Sequence, residues 1–230
     1  MPSVIITGAD RGLGLSLCKE YLRRGFTVFA GKYLEDYTLL EDINHANLHI
    51  IRLDMGCGES IKAAAETVRQ QSGTLDMLIS NAALMERPSD LEMVWRMFNV
   101  NALGPLRLVE SVLPLMKNSG LKRLCFVSSE VACISLMKHR AGDAYAYPMS
   151  KASLNMAVRM LHNQLHGEGY SFRLFHPGWM KRRAQDGSLS EHALYDPDEI
   201  GNKAAAYFDA PIRDANRLVM VDYAGYEWPW

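Results

Sequence analysis

A β-branched run, Val4-Ile5-Ile6-Thr7, meets Gly8-Ala9-Asp10-Arg11-Gly12-Leu13-Gly14, and an amphipathic pattern then runs to about Arg24 and stops at Gly25. The first run has the character of a strand buried on both faces, and the pattern after it predicts a helix closed by glycine. A strand, a glycine-rich turn and a helix place backbone N–H groups at a helix N-terminus, where a pyrophosphate is received. Glycine suits such a turn because a side chain would keep the backbone and the ligand apart. The spacing is Gly-x-x-x-Gly-x-Gly, and no Gly-Lys-Ser/Thr follows, so a Walker A phosphate loop is excluded. Gly8, Asp10, Arg11, Gly12, Leu13 and Gly14 are therefore the first candidates for contact with a dinucleotide.

The remaining pattern alternates strand and helix. Strands are predicted over residues 27–30, 48–53, 76–79, 122–127, 171–175 and 217–221, and helices over 60–71, 91–117, 147–166 and 197–208. This order predicts an α/β fold, a Rossmann-type doubly wound parallel sheet of about seven strands in one domain spanning 1–230. Past the second strand stands Gly31-Lys32, where a carboxylate would be needed to bond the ribose 2′-hydroxyl of NAD. With Lys32 and Arg11 available to meet a 2′-phosphate, NADP(H) is favoured over NAD(H). Asp54-Met55 closes the third strand, with Asp54 placed to accept from an adenine amine. Asn81-Ala82-Ala83 closes the fourth, small enough for a ribose to lie against the backbone. Asn101 interrupts the apolar 91–117 helix, in which Val94, Phe98, Val109 and Val112 are expected to be buried. Ser128-Ser129 emerges from the carboxyl end of the fifth strand, where open parallel sheets bind ligands.

Tyr147 and Lys151 are four apart at the start of the 147–166 helix, so they project side by side. A free phenol has a pKa of about 10, too high for proton transfer near neutrality, and a cation held beside it favours the phenolate. Along the same helix Leu154, Val158, Leu161 and Leu165 form one apolar stripe, and Ala152, Met156 and Met160 form another. One stripe can cover the sheet; the other calls for a second subunit, a homodimer or homotetramer. His162 and His166 have i,i+4 spacing but no third ligand, so no metal is expected. The polar, aperiodic stretch 181–195 reads as a mobile loop over the substrate, near residues 180–196.

Composition excludes several classes. Twenty-five Lys and Arg against 26 Asp and Glu give a net charge of -1, which argues against non-specific nucleic-acid binding. The N-terminus lacks a basic segment followed by a long apolar one, and no apolar run approaches the ~20 residues that span a bilayer. Cys18, Cys57, Cys125 and Cys133 show neither CxxC spacing nor disulfide-scaffold density. A reduced cytoplasmic protein, binding neither nucleic acid nor membrane, is expected.

Thr7-Gly8-x-x-x-Gly12-x-Gly14, Asn81-Ala82-Ala83, Asn101, Ser129, Tyr147-x-x-x-Lys151 and Pro177-Gly178 stand in the order of the short-chain dehydrogenase/reductase family, which the chain resembles over nearly its whole length. Arg11-Gly-Leu-Gly14, the long interval between Ser129 and Tyr147, Pro177-Gly-Trp-Met180 and the ending Asp222-Tyr-x-Gly225 with Pro229-Trp230 resemble its sniffer and C-factor-like carbonyl reductases. The resemblance implies hydride delivery from NADPH to a small carbonyl substrate, with Tyr147 as proton donor. It gives Lys151 the nicotinamide ribose and the lowering of the Tyr147 pKa, Ser129 the carbonyl oxygen, and Asn101 a water that returns the proton. Pro177, Gly178, Trp179 and Met180 would join the cofactor contacts. Ser129 is chosen by its alignment with the motif, and Ser128 is expected to face the sheet. The chain departs from the family at Ser80, Ala83, Ala132 and Cys133. It departs also at Lys181-Arg182-Arg183, where relatives carry a threonine that contacts the nicotinamide amide. Met85, Met137, Tyr145, Trp179 and Met180 are candidates for an apolar pocket, and Lys138, His139, Arg140 and Lys181 to Arg183 for attraction of an acidic substrate. A cofactor-binding sensor with little turnover is the alternative reading.

Overall fold

A computed structural model describes residues 1–86, 90–136, 145–212 and 214–229. The alternation of side chains along the central strands explains the architecture. Ile5, Phe29, Leu78, Leu124, Phe126 and Leu174 enter one apolar cluster, while Val4, Ile6, Val28, Ala30, Met77, Ile79, Cys125 and Phe175 enter another. Successive residues of a strand point to opposite faces, so a run apolar at every position demands cover on both sides. Helices α2 (Gly58–Ser72), α4 (Gly104–Met116) and α5 (Ala146–Leu165) cover the first face, and α1 (Gly12–Arg23) and α6 (Pro197–Asp209) the second. Each fully buried Phe or Ile here contributes about 1.5–3 kcal/mol relative to exposure.

Between these layers lie β1 (Ser3–Thr7), β2 (Thr27–Lys32), β3 (Leu48–Arg52), β4 (Met77–Ser80), β5 (Arg123–Val127), β6 (Ser171–His176), β7 (Met220–Asp222) and β8 (Glu227–Trp228), in the spatial order β3-β2-β1-β4-β5-β6-β7-β8. Neighbours pair in parallel, apart from β7 with β8. The chain moves outward from β1 to β3 and then returns past β1 to β4. The crevice of a doubly wound sheet opens where the order reverses, at the carboxyl ends of β1 and β4.

The expected seven strands become eight. Asp222 builds the extra hairpin: its carboxylate accepts from the backbone N–H of Ala224 and Tyr226 and from the Trp228 indole, with Gly225 at φ +87°. A strand of two residues has no period to read, so only this turn chemistry could have announced it.

The predicted 91–117 helix is in fact three pieces: α3 (Leu91–Phe98), a π-helical turn over Asn99–Leu103, and α4. The widened turn shifts the phase of the apolar stripe. Before it Met97 is fully buried while Val94 and Phe98 are only half-buried; after it Leu108, Val109, Val112 and Met116 are buried.

On α5 the stripe of Leu154, Val158 and Leu165 is buried, with Leu161 packed beside it, whereas Met156 and Met160 are exposed. The four cysteines are free thiols. Among the described residues no helix is long and apolar enough to cross a membrane.

Candidate active site

At the carboxyl end of β1 the Thr7 hydroxyl accepts from the backbone N–H groups of Asn81 (3.0 Å) and Ala82 (2.9 Å), while the Asn81 amide donates to the carbonyls of Thr7 and Gly8. These bonds clamp the glycine turn against the end of β4. The clamp leaves no room for side chains. A Cβ on Gly14 would lie 2.0 Å from the Gly8 carbonyl oxygen, and one on Gly8, at φ +63°, would lie 2.8 Å from Ala82 Cα. Asp10, buried inside the turn, accepts from the N–H groups of Tyr33 and Leu34, both at 2.7 Å, and so ties the turn to the segment leaving β2.

A cleft of about 640 Å³ opens over this clamp. Of the predicted cofactor contacts, Gly8, Asp10, Arg11, Gly12, Leu13, Asp54, Met55, Asn81, Ala82, Ala83 and Met180 line it. Gly14 and Pro177 are buried and do not line it. Trp179 is exposed, and the ring of Tyr195 and that of Tyr223 close over Gly178. Lys32 is not brought into the cleft. It forms an ion pair with Glu41 at 2.5 Å, which leaves Arg11, of the two predicted cations, as the one that lines the cleft. Sequence reasoning missed Tyr33, Leu34, Gly56, Asn99 and Val100, which also line the wall. Hydrophobic period does not mark such residues, because they are set by how the ends of three strands converge.

None of the four predicted catalytic residues is among those lining this cleft, and two hydrogen-bond connections hold Asn101 and Lys151 in place. Asn101, fully buried in the π turn, accepts from the Leu84 N–H (2.7 Å) and donates to the Leu84 carbonyl (2.8 Å) and the Ser150 hydroxyl (2.9 Å). Ser150 in turn donates to the Tyr147 carbonyl at 2.8 Å. Both N–H hydrogens of the Asn101 amide are thus engaged, so a water could be held only by its backbone carbonyl or the remaining lone pair of Oδ1. The second connection runs from Lys151, whose Nζ donates to the Val127 carbonyl at 3.0 Å, two residues before Ser129. The Lys151 ammonium lies 5.9 Å from the centre of the Tyr147 ring. Burial lowers the Lys151 pKa from its ordinary 10.5 to about 8, because a charge removed from water is disfavoured. Ser129 is half-buried and caps the short helical turn Glu130–Ala132 by accepting from the Val131 N–H. Ser128 is buried, and its hydroxyl donates to Asn155 on α5 at 2.6 Å, so the two serines have separate tasks.

The segment expected to be a mobile loop carries hydrogen bonds of its own. Lys181 N–H donates to the Tyr195 carbonyl, Arg182 and Ser190 exchange bonds, and Ala184 N–H donates to Ser188. The sequence is aperiodic because serine and aspartate side chains, rather than a regular ladder, satisfy its backbone. Beside it the Tyr195 and Tyr223 hydroxyls are 2.5 Å apart, a bond that pushes the Tyr223 phenol up to about 12. Burial holds the neighbouring His176 below its usual value against the opposing pull of Glu130 and Asp222. Met85 and Tyr145 of the predicted pocket are exposed; Met137, Lys138, His139 and Arg140 lie outside the described residues. His162 and His166 stack on each other, and each bonds a backbone carbonyl.

Residues 2–192 match the family described as short chain dehydrogenase. The chain belongs to the short-chain dehydrogenase family. It is similar to the C-signal protein of Myxococcus xanthus, with 35% identity over 69% of this chain and 95% of that one. Among solved structures, the NADPH-bound carbonyl reductase from chicken fatty liver superposes with a TM-score of 0.86 at 25% identity, over 100% of this chain and 99% of the other. Carbonyl reductase Sniffer of D. melanogaster, at 23% identity, gives 0.85 over 100% of both chains, a likeness of fold. Within the short-chain dehydrogenase family this chain is an oxidoreductase.

Proposed function

We propose that this short-chain dehydrogenase is an NADPH-dependent reductase of a small ketone or aldehyde, with Tyr147 as the proton donor. The observation that carries the reading is the buried Lys151 ammonium beside the Tyr147 ring. A buried cation costs free energy unless it serves a neighbouring charge, and a developing phenolate is the charge it can serve.

The cleft suits a dinucleotide. Its glycine floor admits no Cβ at Gly8, and Asp54 lines the wall with Oδ1 bonded to the Gly56 N–H. Arg11, Arg96, Lys181, Arg182 and Arg183 on the wall face three acids, Asp10, Asp54 and Glu86, a balance that favours a polyanion. A bound reduced nicotinamide supplies the hydride. Lys151 holds the ribose hydroxyls and lowers the Tyr147 pKa, Tyr147 passes its proton to the developing alkoxide, and Ser129 stabilises that oxygen by donating its hydroxyl hydrogen. Asn101 keeps the π turn and Ser150 in register beneath Tyr147. The exposed Met85, Tyr145 and Trp179 supply apolar surface for the substrate.

Arg11 is the remaining candidate for a 2′-phosphate; its guanidinium donates to the Tyr37 hydroxyl at 2.6 Å. The expected result is NADPH consumption with a panel of aldehydes, ketones and diketones, and a larger thermal shift with NADPH than with NADH. Tight NADPH binding without turnover of any carbonyl would return the protein to the sensor reading. Equal shifts with the two cofactors would remove the role given to Arg11.

The exposed Met156 and Met160 on α5 are proposed to meet a second copy of the chain. Met156→Glu is expected to shift the sedimentation coefficient from dimer or tetramer to monomer, and an unchanged assembly would place the contact elsewhere.

A further inference from the structure

Arg183 stands apart from the other cations of the cleft. Its side chain is 12% exposed, and Nη2 donates to Asp198 Oδ2 at 2.8 Å while Nη1 donates to the Gly187 carbonyl at 3.2 Å. The other Asp198 oxygen accepts from the Ser16 hydroxyl, which lies 3.0 Å from the Gly12 carbonyl. The guanidinium of the 181–195 loop is therefore tied, through one carboxylate and one hydroxyl, to the first turn of α1. Arg182, by contrast, is exposed, and Lys181 is half-buried. Arg183 Nε is buried with no hydrogen-bond partner, although the residue lines the cleft. Nε–H is closed off from solvent, but Nη1 and Nη2 each keep a second N–H, so a guanidinium already fixed by Asp198 and Gly187 has donors left for an oxyanion in the cleft.

We propose that Arg183 is a cofactor-binding residue that donates to the dinucleotide's pyrophosphate, with Asp198 and Ser16 as the residues that position it. This rests on the reading of the cleft as a dinucleotide site. The pyrophosphate is favoured over the 2′-phosphate because the network runs to Ser16 and the Gly12 carbonyl in the opening turns of α1, whose N-terminus receives phosphates, whereas the Arg11 guanidinium is bonded to Tyr37, beyond β2. Binding then adds a phosphate contact to a loop that Asp198 and Ser16 already hold to the first turn of α1. A contact of this kind gives the Lys181-Arg182-Arg183 stretch a task in the enzyme.

The test is calorimetric titration of wild type and Arg183→Gln with NADPH, ADP and adenosine 2′-monophosphate. Loss of one charge-assisted bond is expected to weaken NADPH and ADP roughly ten- to hundredfold, and to leave adenosine 2′-monophosphate within about twofold of wild type. A merely structural role would weaken all three together, and that outcome overturns the assignment, as does an unchanged NADPH affinity. Weakening confined to NADPH and adenosine 2′-monophosphate would also overturn it by moving Arg183 to the 2′-phosphate. Should Arg183→Gln not fold, Arg183→Lys keeps a charge but lacks the planar fork, and the same ligands decide: selective weakening supports the assignment and wild-type affinities overturn it. Wild type that binds no NADPH at all would overturn the dinucleotide reading, and this assignment with it.

Discussion

Tyr147→Phe is expected to lower kcat for carbonyl reduction by roughly 10²- to 10⁴-fold, the usual contribution of a positioned proton donor. The substitution removes a hydroxyl and leaves the ring that packs at the head of α5. Melting temperature is therefore expected to stay within about 2 °C of wild type, with NADPH affinity little changed. That pattern separates chemistry from folding and from binding. A loss of less than about tenfold would assign the proton to another group. Steady-state kinetics, calorimetry and a binding titration on one preparation check all three.

Lys151→Met is expected to abolish most of the activity while making the apo protein more stable at pH 7. The sign follows from the direction in which burial moves the lysine. With the folded-state pKa lowered from 10.5 to about 8, both states carry the proton below pH 8, and the folded state bears the whole cost of a desolvated charge. Between pH 8 and 10.5 the unfolded chain binds more protons than the folded one, so wild-type stability gains from this group as pH rises. At about 1.36 kcal/mol per pH unit the cost at neutrality is of the order of 3 kcal/mol. Losing the Nζ bond to the Val127 carbonyl offsets about 1 kcal/mol of what methionine recovers. The variant should melt several degrees above wild type at pH 7, and the advantage should shrink by pH 10. A lower melting temperature at pH 7, or a difference independent of pH, would mean that Lys151 is not a strained cation in the folded protein. The stability held back at Lys151 is a functional expense of the kind expected where a site needs charge in a dry place.

The parts of the site that could be read in advance share one property: their geometry is local. Tyr147 and Lys151 lie together because four residues of helix bring them together. The turn from Gly8 to Gly14 was legible because a strand, three glycines and a helix leave few alternatives. Lys32 shows the opposite case. It ends β2 rather than following it, and Glu41, nine residues further on, takes the ammonium; no pattern in the intervening sequence announces that pairing. Asn101 was visible as a break in an apolar helix. That the break is a π turn, with its amide divided between Leu84 and Ser150, depends on residues 17 and 49 positions away.

By itself the sequence determined the alternation of strands and helices, the parallel doubly wound sheet and the candidate chemistry, because hydrophobic period, glycine placement and i,i+4 spacing act over a few residues. Only the tertiary structure decided which cations reach the cleft, how the 181–195 loop satisfies its backbone, that the sheet ends in an Asp222 hairpin, and that Arg183 is held to the glycine turn. Charges and hydroxyls choose partners by distance in space, and those distances exist only after the sheet has brought its strand ends together.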